Sequence, residues 1–459
     1  MLAESKTAWL RTSLIVVLFF SLIACAGGLP PSATPASLTP AATARPAGSR
    51  PNVLIIVADD QHMDTMNFMP RTQARIFDQG VSFSNGFVTT PLCCPSRASI
   101  LTGLYAHDTG VHINSDQLTQ PTFVESLHAN GYLTGIVGKY LNSWEGSKRP
   151  EFDYWASFEG GKSPYQNPVL NIQGTWITPT GYMTYLLRDY ALEFLKQSAQ
   201  QSKPFMLLFT PNAPHHPYDP APGDENLYPD LKIDWPPNYN EADVSDKPKW
   251  VQGFPLITPK NQLGDYDIRR RQAQMLWSLD QAINSLLDQL QQQGQLDNTL
   301  ILYINDNGLL VGEHRLAGKA GAYEEDVHVP FGIRYPPLIP TPRVENRIVA
   351  NIDIAPTIYE LAGLPIPSNV DGRSLLPLLK GQSAWRDDIL LEGWVEGPAQ
   401  VTFQAARTER YVYIENQGDL SELYDLQQDP YELSNLINDP AHAPIITDMQ
   451  ARLKRLLSH

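Results

Sequence analysis

Four short apolar runs recur along the chain, and each ends in polar residues. "NVLIIVADD" (52–60), "LTGIVGKY" (133–140), "PFMLLFTP" (204–211) and "NTLILYINDNG" (298–308) have the length and continuous apolar character of strands buried on both faces. Helical spacing fills the intervals between them. Its clearest example covers about 266–292, where Ala273, Leu276, Leu279, Ile283, Leu286, Leu287 and Leu290 recur three or four apart and Gly294 follows as a stop. Apolar strands alternating with helices predict an α/β fold: a large, mainly parallel sheet sandwiched by helices. From about 386 the pattern changes. "DILLEGW", "AQVTFQAART" and "RYVYIENQ" predict a small C-terminal antiparallel sheet, closed by a helix over about 444–457. The stretch 221–262, rich in Pro, Asp and Asn, reads as a long excursion.

Parallel sheets gather ligands at the carboxyl ends of their strands. Asp59, Asp60, Lys139, His215, Asp306 and Asn307 all follow apolar strands at or just beyond that edge, so the fold is expected to bring them together.

The N-terminus carries a different signal. Lys6 and Arg11 precede "SLIVVLFFSLIA", about a dozen residues, which is short for a membrane span and suited to the core of a signal peptide. It ends in Leu22-Ile23-Ala24-Cys25, which resembles the lipobox of bacterial lipoproteins. That resemblance implies lipidation of Cys25 as the first mature residue; a plain secretory signal cleaved nearby is the alternative. The following residues, rich in Pro, Ala, Ser and Thr, cannot bury a core and read as a tether. The expected organisation is a signal peptide (1–24), a tether (25–51), a catalytic domain (52–385) and a C-terminal subdomain (386–459). Such a protein is exported and held at the bacterial envelope, touching the membrane through its lipid alone.

Charge narrows the partners. The 34 Lys and Arg residues against 49 Asp and Glu give a net charge of -15, which argues against nucleic-acid binding without excluding a positive pocket for an anionic substrate. Export favours disulfides, yet the chain has three cysteines, and lipidation of Cys25 leaves only the adjacent Cys93 and Cys94. No structural disulfide is expected, so at least one of the pair should have a chemical role.

The surrounding stretch, "PLCCPSRASILTG" (91–103), suggests which one. Pro95 suits the first turn of a helix that continues to Gly103. Cys93 then stands at the helix mouth, where free N–H groups favour negative charge, and Arg97 lies one turn inside.

Cys93-Cys94-Pro95-Ser96-Arg97 with Leu101-Thr102-Gly103 resembles the signature of the type I sulfatases, Cys-x-Pro-Ser-Arg followed by Leu-Thr-Gly. The resemblance implies an alkaline-phosphatase-like fold. It also implies that a formylglycine-generating enzyme oxidises Cys93 to formylglycine, with Cys94 at the variable position as a small buried residue. A hydrated formylglycine has two hydroxyls: one attacks the sulfur of a sulfate ester, and deprotonation of the other expels sulfate. A serine there would be left carrying a stable sulfate ester.

The same resemblance assigns partners to Cys93. Asp59, Asp60, Asp306 and Asn307 become ligands of a divalent metal together with the residue derived from Cys93, and their hard oxygens suit Ca²⁺, with Mg²⁺ as a second choice. Lys139 in "GKYLN" and Lys319 in "GEHRLAGKAGAYEEDVHVPF" become sulfate-contacting lysines. His215 in "APHHP" becomes the acid or sulfate contact, favoured over His216 by the proline spacing. His107 in "YAHDTGVH" reads equally as a pocket residue or a hydrogen-bonded loop histidine. One position departs from many arylsulfatases: Leu141 stands where they carry a histidine, and Asn142 is the candidate to take over part of its role. "GKYLN" and "CCPSR" resemble the branch containing N-acetylglucosamine-6-sulfatases and heparan endosulfatases, which points to a sulfated sugar. Two other readings use the same residues. One is a phosphonate monoester or phosphodiester hydrolase, or an aryl or choline sulfatase, on the same fold; the other is a glycan-binding lipoprotein without turnover.

Overall fold

Each of the four apolar runs forms a strand, and together they make the centre of a ten-stranded sheet. A computed structural model describes residues 50–161, 163–319, 321–382, 384–396 and 401–458. The expected signal peptide, Cys25 and the expected tether up to residue 49 lie outside the described residues. In chain order the strands are β1 (Asn52–Ala58), β2 (Val81–Phe83), β3 (Leu133–Gly138), β4 (Tyr154–Ser157), β5 (Leu170–Ile172), β6 (Thr175–Ile177), β7 (Phe205–Thr210), β8 (Thr299–Asn305), β9 (Phe331–Arg334) and β10 (Arg343–Glu345). Their spatial order is β10-β2-β9-β8-β1-β7-β3-β4-β5-β6. The strands from β8 to β4 run parallel, and antiparallel pairs join them to both margins, β8 with β9 and β4 with β5.

Every residue of β1 is buried, because the sheet is covered on both sides. Val53, Ile55 and Val57 enter one hydrophobic cluster, and Leu54, Ile56 and Ala58 enter the other. That alternation is the two-residue period of a strand with apolar layers above and below it. Burying each of these larger side chains contributes roughly 1.5–3 kcal/mol.

Four helices matter for the argument: α1 (Cys93–Thr102), α2 (Met183–Ala199), α3 (Pro259–Gln292) and α4 (Ala443–Leu456). The stripe on α3 packs against the Leu54 face, with Leu276, Leu279, Ile283 and Leu286 fully buried. The helix begins earlier than the apolar spacing indicates. Thr258 caps it by accepting from the Asn261 N–H at 3.3 Å, and Pro259 opens it, while the first turns carry exposed residues such as Leu263. The excursion therefore ends at Thr258, and within it lies a short helix, Lys249–Gln252.

The C-terminal sheet has four antiparallel strands rather than three: β11 (Asp388–Gly393), β12 (Phe403–Thr408), β13 (Tyr411–Asn416) and β14 (Glu422–Asp425). The last, "ELYD", is too short and too charged to stand out by pattern. Met449 and Leu453 of α4 share one hydrophobic cluster with Ile389, Leu423 and Val53, so the small sheet and the main body have a continuous core. Arg407 Nε donates to Glu324 Oε1 at 2.8 Å, and Tyr323 Oη to Glu422 Oε2 at 2.9 Å, fixing the small sheet to the segment before β9. Among the described residues, no helix is long and apolar enough to cross a membrane.

Candidate active site

The chain turns into α1 at Leu92, which is extended, so Cys93 is the first helical residue. Pro95 sits in the first turn, where its missing N–H costs nothing, and Gly103 ends the helix at φ 79°. Cys93 is 1 % exposed and Cys94 is fully buried; both are free thiols. Cys94 belongs to the apolar core, and its backbone N–H donates to Asn114 Oδ1 at 3.0 Å.

Strand ends deliver the other groups. Asp59 and Asp60 follow β1, and Asp60 adopts φ 60°, a left-handed conformation that aspartate tolerates better than most residues. Its N–H reaches Asp306 Oδ1 at 3.3 Å, so the ends of β1 and β8 are tied together. At the end of β3, Gly138 has φ 122°, and a Cβ there would stand 2.1 Å from the Thr210 carbonyl oxygen. Only glycine lets β3 close on β7, after which Lys139 N–H donates to that same oxygen at 2.7 Å.

These residues form one connected cluster. Lys319 Nζ stands 2.7 Å from Cys93 Sγ and 2.6 Å from Asp60 Oδ1. Cys93 Sγ is 3.8 Å from Asp59 Oδ1, whose other oxygen accepts from Lys139 Nζ at 2.7 Å. Arg97 Nε donates to Asp306 Oδ2 at 2.9 Å and its Nη1 to the Lys139 carbonyl at 3.0 Å. Two buried cations, Lys139 and Arg97, and the partly buried Lys319 thus face three buried carboxylates around one thiol.

Burial pushes the Cys93 thiol up to about 12, against the downward pull of Lys139 and Lys319. At neutral pH it is a protonated, weak nucleophile. Burial also raises the Asp59 carboxyl, but Lys139, His215 and Arg97 outweigh it and hold Asp59 below its ordinary value. Desolvation lowers the ammonium of Lys139, and Asp59, Cys93 and Asp306 together hold it above its ordinary value. Both groups stay charged.

The same place fits a hard divalent cation. Asn307 Nδ2 is committed to Asp60 Oδ1 and the Gly308 carbonyl, each at 2.7 Å, while its Oδ1 is buried with no hydrogen-bond partner. An oxygen left unsatisfied beside three carboxylates is what such an ion requires. Ligand atoms of Asp59, Asp60, Cys93 and His215 also lie within 4.8 Å of one another.

His215 Nε2 stands 3.6 Å from Asp60 Oδ2, and its Nδ1 contacts the His216 carbonyl. His216 is exposed and turns toward Tyr218. His107 stands outside the cluster: Glu392 Oε2 holds its Nδ1 at 3.0 Å, and its ring stacks on Tyr105. It lies in a short helix, Ala106–Thr109, as a hydrogen-bonded histidine. Leu141 is packed in the apolar core, so nothing at that position supplies a polar group. Asn142 does lie at the cluster's edge. Its Oδ1 is buried and unpartnered, and Gly161 abuts both its amide and the Lys139 side chain. Tyr165 is a further positioning residue: its single Oη proton is shared between the carbonyls of Asn212 and His215, at 2.7 and 2.9 Å, and so fixes the histidine loop. It lies in an irregular stretch without periodicity, and no motif marks it.

A cysteine at a buried helix mouth, ringed by lysines, an arginine and hard oxygen atoms on a mainly parallel sheet, makes a site suited to an anionic ester. Residues 51–364 match the family described as Sulfatase, and residues 312–459 match the family described as N-sulphoglucosamine sulphohydrolase, C-terminal. The chain belongs to the sulfatase family. It is 32% identical over 476 residues to the N-acetylglucosamine-6-sulfatase of Capra hircus, covering 89% of this chain and 84% of that protein. It is 34% identical over 395 residues to the extracellular sulfatase SULF-1 homolog of Drosophila melanogaster, covering 80% of this chain but 35% of that protein. The chain thus spans about a third of that relative's length. The structure of BT4656 in complex with its substrate D-glucosamine-2-N,6-O-disulfate superposes with a TM-score of 0.80 at 25% identity, covering 89% of this chain and 97% of that one.

Proposed function

We propose that this chain hydrolyses sulfate esters of an N-acetylglucosamine- or glucosamine-6-sulfate type, with Cys93 converted to formylglycine. The contact of Cys93 Sγ with Lys319, at 2.7 Å inside the carboxylate and lysine cluster, is the observation that carries this reading. A formylglycine hydrate supplies the attacking hydroxyl, and a divalent cation, Ca²⁺ or Mg²⁺, supplies charge that favours its ionised form. Asp59, Asp60, Asp306 and Asn307 would hold the ion. The chain's own groups do the rest. Lys319 and Lys139 neutralise the sulfate oxygens, and Arg97 keeps Asp306 and the Lys139 backbone in place. His215, with 23% of its side chain exposed, is placed at the solvent side, where the leaving alcohol departs, and gives it a proton. The high pKa of the thiol supports conversion as a requirement, since unmodified Cys93 would be a poor nucleophile. The goat relative's name and the glucosamine disulfate bound in the neighbouring structure support the sugar class.

The test is peptide mass spectrometry across Cys93–Arg97 on protein made with a formylglycine-generating enzyme, followed by sulfate release from N-acetylglucosamine-6-sulfate. Loss of about 18 Da at Cys93 with turnover supports the reading. Full conversion without release from any sulfated sugar rejects the substrate class, and an unconverted thiol rejects the mechanism.

Export and attachment through a lipid on Cys25 complete the proposal, supported by the basic, apolar and Leu-Ile-Ala-Cys pattern at residues 6–25. Cys25→Ser should release the protein from the envelope fraction; a variant that stays membrane-bound contradicts the anchor.

A further inference from the structure

A second set of metal-ligating side chains stands apart from Asp59 and Asp60. His314, Glu325 and Glu432 each offer one ligand atom, and the three atoms lie within 4.8 Å of one another. His314 and Glu325 bracket Lys319 in sequence, and Glu432 follows the last strand of the small sheet. His314 and Glu432 are fully buried.

The imidazole is already oriented. His314 Nδ1 lies 2.7 Å from Glu241 Oε2, so its proton sits on Nδ1 and the lone pair on Nε2. A carboxylate behind the imidazole is the usual support of a metal-bound histidine. Tyr323 stacks on the ring at 4.3 Å and fixes its plane, while Asn238 Nδ2 approaches Nε2 at 3.2 Å.

The carboxylates are only half satisfied. Glu325 Oε1 accepts from Asn238 Nδ2 at 2.9 Å, and Glu432 Oε2 accepts from the Glu324 N–H at 3.0 Å. Glu325 Oε2 and Glu432 Oε1 are buried without a hydrogen-bond partner, and so is Asn238 Oδ1. Lys247, beside Glu241, is spent elsewhere: it pairs with Glu241 at 3.4 Å and Asp246 at 3.1 Å. Two adjacent carboxylates, Glu432 fully buried and Glu325 partly so with its free oxygen out of solvent, are costly to keep ionised without a cation. A shared proton would satisfy one oxygen and leave the imidazole lone pair and Asn238 Oδ1 as they are. A cation would engage the whole set.

We infer that His314, Glu325 and Glu432 form a second metal site holding a first-row divalent transition ion, with Glu241 supporting the imidazole and Asn238 yielding its contact with Nε2. One imidazole with two carboxylates suits zinc or manganese, whereas the all-oxygen group around Asp60 suits calcium. The ion clasps the excursion that carries Asn238 and Glu241 to the segment that carries Lys319 and to the small sheet. It is a structural clasp, and Lys319 is the active-site residue it steadies.

The test uses the full chain, dialysed in excess Ca²⁺ with zinc added at low concentration. About one equivalent of zinc should remain bound, and zinc K-edge absorption should show an imidazole in the coordination shell. Glu432→Gln keeps the shape of a protonated carboxyl yet should lose the zinc and melt at a lower temperature; Asp60→Asn should keep the zinc. Wild-type protein that retains no zinc or manganese overturns the inference, as does an all-oxygen shell. Glu432→Gln with unchanged zinc, or melting at or above the wild-type temperature, also overturns it and favours the shared proton. The wild-type measurements need no variant to fold.

Discussion

Lys319 bridges Cys93 and Asp60: its ammonium is 2.7 Å from the sulfur and 2.6 Å from the carboxylate oxygen. Cys93 comes from a helix mouth and Lys319 from a loop 226 residues away, so the contact is made by the fold alone. In the proposed reaction, an ammonium fixed this close to residue 93 would stabilise charge that develops on the transferred group, and desolvation would strengthen it.

Lys319→Ala should therefore lower kcat by about 10²–10³-fold with a smaller change in KM. Sulfate release measures this, after peptide mass spectrometry has shown equal conversion of Cys93 in both proteins. A loss confined to KM would make Lys319 a binding group only.

Asn307 tests the metal. Asn307→Ala removes the unpartnered Oδ1 together with the Nδ2 bonds to Asp60 and Gly308, so each protein's calcium response is read against its own metal-free Tm. Wild-type protein should gain about 2.7 kcal/mol at a calcium concentration near 100 times Kd, seen as a higher Tm that a chelator reverses. The variant should show a much smaller calcium response. Equal responses in the two proteins would place the ion elsewhere.

Much of this site was legible because the chemistry sits at strand ends. A strand buried on both faces is a continuous apolar run, and the first polar residues after it mark the sheet's carboxyl edge; Asp59, Asp60, Lys139, Asp306 and Asn307 were found that way. Cys93 was found from its motif. What pattern could not supply was pairing. Nothing in "GEHRLAGK" shows that Lys319 reaches Cys93 or that His314 meets Glu432, because those contacts depend on how loops lie on the sheet. His107 carried the right chemistry, and Glu392 of the small sheet engages it instead. The strand β14 and the first turns of α3 were missed for a simpler reason: short or solvent-facing turns carry no apolar period.

Cys93→Ser separates attack from release. Serine keeps an oxygen nucleophile at the helix mouth beside Lys319 but has no second hydroxyl to expel sulfate. Incubation with a sulfated substrate should leave an adduct of about 80 Da on the peptide containing position 93, with no turnover. Steady turnover by this variant would remove the need for formylglycine. An unmodified peptide beside a folded protein that still binds substrate would show that the serine oxygen is not placed to attack.

Asp371 gives a pH dependence away from the catalytic cluster. Burial, opposed by the Tyr105 N–H that it accepts at 2.7 Å and reinforced by Asp108, raises its carboxyl from 3.8 to about 6. A raised folded-state value means that the folded protein holds this proton more tightly than the unfolded chain. The stabilisation is complete below 3.8 and is lost as pH rises through about 6. Above that, the ionised carboxylate is kept in an unfavourable place. Asp371→Asn retains an oxygen for the Tyr105 N–H and removes the charge. It should melt above the wild type at about pH 7.5, and the difference should shrink as pH falls toward about 5. Thermal unfolding across that range measures it. A difference that stays constant with pH would trace the effect to packing and not to the charge on Asp371.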